Sequence, residues 1–500
     1  MSFMKEYAKR ETVTTENGAL GFKTTGHYLL DFSYSVPAMR NNPESFFELF
    51  DKSMAEDRNN TLRFVLFLRD IKHGMGERNS YRHLLVHMSD KFSDVLHKMI
   101  VNCGLASFGR FDDLIYLYDK SKSLQIRNDI RLLIINQLED DENNFKEGNK
   151  ISLLAKWLPS ENASSKETKR LAKVVRKEIL CISPKEYRKV LSELRNYMNV
   201  VEVKISANKW DKVDYEAVPS KANLKYRNAF LTHDTERRVE FLQALKNGEK
   251  KINSNSMFLY DIIHSYVESA CTWMFADIKE DDTLEQLWKS QGKHAISNTL
   301  VIRDGSGSMY EEVSSGVTAL DIADSLTLYM AENNSGEFKN KFITFSRTPK
   351  FVDLSGADKL CEKLTILRRN NDCSNTDIEL TFDSILDTAV KANISKEDMP
   401  KQILIVSDME FDSCIHYDEI LFESIIKRFN ENGYEMPKLV FWNVCSRTNV
   451  IPLTSNKNGV ILISGFSKNL VDMVTSGELD PYKTLINQLQ VSRYDCVDNI

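Results

Sequence analysis

Long apolar runs are missing from this sequence. Nowhere in its 500 residues does an apolar stretch approach the ~18 residues that cross a bilayer. Met1 to Gly18 is polar and holds no hydrophobic segment of signal-peptide type. No membrane attachment is expected. Cysteine is scarce and scattered: the eight residues Cys103, Cys181, Cys271, Cys361, Cys373, Cys414, Cys445 and Cys496 include no Cys-x-x-Cys pair. That argues against a disulfide frame and a zinc site, and it suits reduced thiols in a cytoplasmic protein. Of nine histidines, only His83 and His87 have His-x-x-x-His spacing. With no third ligand in view they read as surface residues of an amphipathic helix. Gly74-x-Gly76 lacks the Lys-Ser/Thr of a nucleotide loop, and Ser306 is not in a Gly-x-Ser-x-Gly elbow, because position 304 is Asp. An enzyme is not expected.

What is present is ordinary for a folded protein, with 42% hydrophobic and 10% aromatic residues. The length exceeds what one core supports, so two or more domains are expected. Charge is unevenly spread. Between Ile151 and Lys251, 22 Lys and Arg face 13 Asp and Glu, a local balance of +9 within a chain of net charge −6. A localised basic surface facing a polyanion is consistent with that asymmetry.

Helical apolar spacing dominates the first half. Patterns run over Asn42–Glu56, a stripe from Leu62 to Ile71, Glu77–Met88, Phe92–Val101, Phe111–Tyr118 and Leu124–Leu138. Ile151–Trp157, Ser165–Leu180, Pro184–Met198, Arg237–Leu245 and Phe258–Phe275 follow. Strand-like alternation is almost absent before residue 290. Paired helices that cannot bury their apolar faces alone stack side by side, so residues 1–290 are expected to form an all-α solenoid of HEAT-like repeats. No strict internal period is visible, and a compact helical bundle is the alternative. From 296 to 495, strands alternate with helices: Ile296–Arg303, Lys341–Phe345, Lys350–Leu354, Gln402–Ser407, Leu439–Val444 and Gly459–Ser464. This predicts a doubly wound, mainly parallel α/β sheet.

At the end of the first of those strands stands Asp304-Gly305-Ser306-Gly307-Ser308. One carboxylate and two hydroxyls in a single turn are the oxygen ligands that a hard divalent cation prefers. Asp408 ends the apolar strand 403–406 in the same way, and Thr376 lies in a polar loop before a helix, where it could equally be an N-cap. Such sheets bind ligands at the carboxyl ends of their strands. Glu410 and Asp412 read as solvated loop acids.

The order Asp-x-Ser-x-Ser, loop Thr, strand-end Asp resembles the metal-ion-dependent adhesion site of von Willebrand factor A domains, the match falling on Asp304, Ser306, Ser308, Thr376 and Asp408. The resemblance implies one Mg²⁺ or Mn²⁺ ion with a position left for an acidic group of a partner protein. In the first half, Arg63-Phe64-Val65-Leu66-Phe67-Leu68-Arg69-Asp70-Ile71, Gly74-Met75-Gly76-Glu77-Arg78, Gly109-Arg110-Phe111-Asp112-Asp113-Leu114 and Lys156-Trp157-Leu158-Pro159-Ser160 are similar to the TROVE-type helical repeats of the Ro autoantigen family. So are Tyr187-Arg188-Lys189-Val190-Leu191 and Trp210-Asp211-Lys212-Val213-Asp214-Tyr215, in a form most like a bacterial, phage and plant branch with this layout. That resemblance implies binding of small structured or misfolded non-coding RNA, and a monomer is expected.

The basic section bears on the same point. Lys166, Lys169, Arg170, Lys173, Arg176 and Lys177 recur at three- and four-residue spacing, and Arg188, Lys189 and Arg195 continue the bias. Phosphate contacts need charge and reach, and single strands also need stacking platforms, for which Tyr187, Tyr197 and Trp210 are candidates. The bland alternative is a solvated helix face. The competing function is a protein-interaction scaffold gripping an acidic partner through the metal.

Overall fold

The computed structural model describes residues 12–40, 42–254, 256–269, 278–314, 316–345, 348–371, 373, 377–413 and 420–500. A helical region precedes a C-terminal mixed sheet. By packing, the chain divides into two compact units: Met1–Thr61 with Ser254–Val491, and Leu62–Asn253 with Ser492–Ile500. Element type changes between residues 290 and 296; packing divides the chain elsewhere, because both ends of the chain join a unit remote in sequence.

The first unit opens on a hairpin of β1 (Thr12–Thr14) and β2 (Leu20–Phe22). Its main sheet is built from β3 (Thr299–Asp304), β6 (Lys341–Phe345), β7 (Lys350–Asp353), β8 (Gln402–Ser407), β9 (Lys438–Asn443) and β10 (Val460–Ser464). A small hairpin, β4 (Glu312–Ser314) with β5 (Val317–Thr318), precedes the long helix Ala319–Asn333. The turn after Asp304 therefore runs into a 3-10 segment and a hairpin. Strand order is β10-β9-β8-β3-β6-β7, parallel throughout except for the antiparallel edge strand β7. Every residue of β3, β9 and β10 is buried, as expected of a parallel sheet covered on both faces.

Strand order reverses between β3 and β8. The register sets Arg303 opposite Val406, so Asp304 and Ser407 end side by side at the switch point, where a crevice opens in this architecture.

The N-terminal segment covers this sheet. Phe22 bridges Ile451, and Gly18 bridges Asp412. A Cβ at Gly21 would lie 2.8 Å from the Ile451 carbonyl oxygen, so only glycine fits. The helix Tyr28–Tyr34 gave no periodic signal because six of its seven residues are buried, including Asp31, Ser33 and Tyr34. Its Ser33 and Tyr34 carbonyls accept hydrogen bonds from Ser464 Oγ (2.5 Å) and Asn443 Nδ2 (3.3 Å).

The second unit is helical. Asn79–Lys91, Ser93–Cys103, Phe111–Lys120, Leu124–Glu147 and Pro184–Tyr197 fall on apolar patterns of the sequence. Leu124–Glu147 outruns its pattern, since burial at Ile126, Ile130, Ile134 and Leu138 passes to Asp141, a polar position. The pattern from Ile151 is helical only over Leu154–Trp157. Helices Val201–Ser206 and Ser220–His233 were not legible. The chain's last turn docks here: Tyr494 packs against Phe67 and Phe108 and donates to Asp70 Oδ2 (3.2 Å), and Arg63 Nη2 pairs with Asp495 (2.8 Å) and Asp498 (2.7 Å).

Candidate metal centre

Two carboxylates meet at the switch point, both fully buried. Asp304 Oδ1 accepts the Ser306 N–H (2.8 Å), and its Oδ2 accepts Ser407 Oγ (2.6 Å). The hydroxyls of Ser306 and Ser308 lie 3.0 Å apart. Asp408 Oδ1 accepts the Glu410 N–H (3.2 Å), whereas Asp408 Oδ2 is buried and accepts no hydrogen bond from the described residues. Burial, then the charge of Asp408, pushes Asp304 up to about 7 from an ordinary 3.8. Burial also raises Asp408, opposed by the Ser308 hydroxyl, the Glu410 N–H and Arg447.

Adjacent buried carboxylates resist joint ionisation unless a cation neutralises them. All the donors are oxygens, which fits a hard divalent ion. Among the described residues no group of three or more His, Cys, Asp and Glu side chains is arranged to hold a metal, so any ion at this point depends on the serine hydroxyls.

Thr376 lies outside the described residues. The N-cap role open to it in sequence belongs to Asp377, whose side chain accepts the Leu380 N–H (3.0 Å) at the start of Ile378–Lys391.

Glu410 is not a solvated loop acid. It is fully buried, accepting from the N–H groups of Arg447 (2.7 Å), Thr448 (2.9 Å) and Glu16 (2.9 Å) and from Thr448 Oγ1. Met409, between the two acids, holds a left-handed φ of 63°, a conformation that a non-glycine residue adopts at some cost. Ser407 and Arg447 escaped the sequence reading. Arg447 carried one usable signal, its place just beyond the end of β9.

A buried ionic ladder backs the turn. Arg303, fully buried beside Asp304, donates Nε to Asp324 Oδ1 (2.9 Å) and Nη1 to Asn371 Oδ1 (2.8 Å). Arg368 Nε approaches Asp324 Oδ2 to 2.5 Å without hydrogen-bond alignment, so that contact is Coulombic. Its Nη2 donates to Asp321 Oδ1 (2.6 Å). A Cβ at Gly305 would stand 2.1 Å from Asn371 Oδ1, so glycine there is a condition of the Arg303–Asn371 bond. Asn371 belongs to the loop that leads to Thr376.

At the outer end His264 Nδ1 lies 3.1 Å from Asp321 Oδ2, and that hydrogen bond holds the imidazole above its ordinary 6.5. A raised folded-state value means that the contribution is complete below the unfolded value and is lost as pH rises through the folded one. Urea unfolding should therefore show stability falling as pH climbs past about 6.5. His264→Gln should make that slope shallower, leaving the part due to the raised Asp304, and cost about 1–2 kcal/mol at low pH; an unaltered slope would refute the assignment.

The basic residues lie in the helical unit and are not equivalent. Lys166, Lys169, Lys173 and Lys177 are exposed along Lys166–Val174 and the π-helical turn Val175–Leu180, and they form no ion pair among the described residues. Arg188 is likewise exposed. Arg170 is clamped by Asp119 and Glu167, Arg176 pairs with Glu161 (2.8 Å), and Lys189 faces Glu193 (3.8 Å). Arg195 donates to the carbonyls of Ala155 and Leu158.

Tyr187 is corrected as a stacking platform: it is wholly buried, its hydroxyl donating to the Pro159 carbonyl (2.7 Å). Trp210 is already stacked on His233 at 4.6 Å, which leaves Tyr197, 38% exposed, as the accessible ring of the three. His83 lies exposed on its helix, its ring against Tyr116.

The molecule thus joins a helical unit to an α/β unit with two buried carboxylates at the switch point of its sheet. Residues 298–491 match the family described as "Domain of unknown function (DUF7788)", and residues 123–300 the one described as "Domain of unknown function (DUF2828)". The chain is similar to "Uncharacterized protein L728" of Acanthamoeba polyphaga mimivirus, 27% identical over 514 residues, covering 95% of this chain and 87% of the viral one. Among solved structures it is similar to the Ro (RSR) protein of Deinococcus radiodurans, with 12% identity, 88% and 92% of the two chains covered and a TM-score of 0.35. No described helix is long and apolar enough to cross a membrane.

Proposed function

We propose that this chain is a Ro-like RNA-binding protein whose α/β unit, of von Willebrand factor A type, carries an adhesion site for one Mg²⁺ or Mn²⁺ ion. The helices of its other unit are read as solenoid repeats. Asp304, Ser306, Ser308, Asp408 and, by the motif, Thr376 would hold the ion; bound there, it would supply a Lewis-acidic position for an anionic group of a partner. Binding, not catalysis, is the role proposed. The observation that carries the RNA reading is the lysine row 166, 169, 173 and 177, exposed and unpaired among the described residues. Charge held free of internal partners is what phosphate contact requires. Lys166, Lys169, Lys173, Lys177 and Arg188 are the contacts on this reading; Arg170, Arg176 and Lys189, which the sequence groups with them, are taken up by Asp119, Glu161 and Glu193.

Filter binding of small structured RNA at rising salt tests it. Charge reversal at the four lysines should lower the slope of log K against log salt by about 3. Absence of binding at low salt, or a slope unchanged by the reversal, would sink the RNA reading. The second reading, a scaffold that captures an acidic side chain of a protein partner, is favoured by the all-oxygen, carboxylate-rich centre. It predicts partner capture that needs Mg²⁺ and ignores the lysines.

A further inference from the structure

Arg447 stands at the edge of the candidate metal centre, ion-paired with Asp408 but not hydrogen-bonded to its Oδ2. Its N–H donates to Glu410 Oε1 (2.7 Å), its Nη1 to Glu311 Oε2 (2.7 Å) and its Nε to Glu16 Oε2. Nη2 is left 3.5 Å from Asp408 Oδ2, the buried oxygen that accepts no hydrogen bond from a described residue. The guanidinium is 21% exposed, while Asp408 is fully buried. A fixed positive charge at that distance partly neutralises the two buried acids when no dication is present. The same charge repels a dication that coordinates Asp408.

We propose that Arg447 is a built-in counter-ion that competes with the divalent cation for Asp408 and holds the cation affinity of this centre down. Glu16 and Glu311 are its simultaneous partners through Nε and Nη1, and they retain the guanidinium when a cation draws Asp408 away from Nη2. The centre then loads and unloads with cation supply instead of holding its ion permanently. This inference rests on the metal reading above.

Calorimetric titration of Mn²⁺ into the full chain tests it, comparing wild type with Arg447→Met and Arg447→Lys. Arg447→Met should bind about tenfold more tightly, because a like charge is removed from a buried ligand, and Arg447→Lys should stay within about threefold of wild type. Equal or weaker Mn²⁺ binding by a folded Arg447→Met overturns the inference and leaves the metal centre standing. No binding by any of the three removes both.

If Arg447→Met does not fold, the Glu16→Gln/Glu311→Gln double variant carries the test. Deprived of its other partners, the guanidinium stays on Asp408 and Mn²⁺ affinity should fall by threefold or more, on the order of a modest charge–charge term. Unchanged or higher affinity overturns the proposal.

Discussion

Asp304→Ala should abolish Mn²⁺ binding: the calorimetric heat expected of the wild-type chain should vanish, a loss of at least about 100-fold. The reason lies in the charge balance of the centre. Ser306 and Ser308 are neutral, and Asp304 is, with Asp408, one of the two buried carboxylates of the proposed ligand set. Removing it halves the negative charge and also strips Ser407 Oγ and the Ser306 N–H of their acceptor. The conservative Asp304→Asn should be equally deficient in metal while folding at least as well as wild type in metal-free buffer, since it relieves a like-charge contact with Asp408. Mn²⁺ binding of wild-type strength in either variant would refute the assignment.

Asp324→Ala should cost about 3–5 kcal/mol of unfolding free energy in urea titration, among the largest effects expected of a single side chain here. Asp324 is fully buried and answers two guanidinium groups, Arg303 and Arg368. Arg303 would keep only Asn371, a neutral partner, inside a site from which water is excluded. That asymmetry, a removed anion against a stranded cation, makes breaking a buried pair costlier than never building one. Because Arg303 precedes Asp304 and holds the loop bearing Asn371, Mn²⁺ affinity should fall with stability. A midpoint within the scatter of a surface exchange such as Asp387→Ala, in the exposed pair with Lys391, would show that the ladder does not support the fold.

Much of the α/β unit was legible because its signals are local. Apolar runs of strand length fixed β6 and β8 to the residue, and two strand-end acids with a serine-rich turn pointed at the switch point. The basic section was legible only as composition. Spacing placed Lys166, Arg170 and Arg176 in one cluster, but Asp119 and Glu161, distant in sequence, remove the arginines from it and leave the lysines.

By itself, then, the sequence determined the helical first half, the parallel sheet and the Asp304 turn, since periodicity and strand-end chemistry act over a few residues. Tertiary structure alone decided that the N-terminal hairpin and helix complete the sheet unit, that Glu410 is a buried anchor, and that Arg447 faces Asp408. Those partners lie tens to hundreds of residues apart. Their pairing follows from strand order and register, which set the carboxyl ends of β3, β8 and β9 side by side and which no local pattern of side chains records.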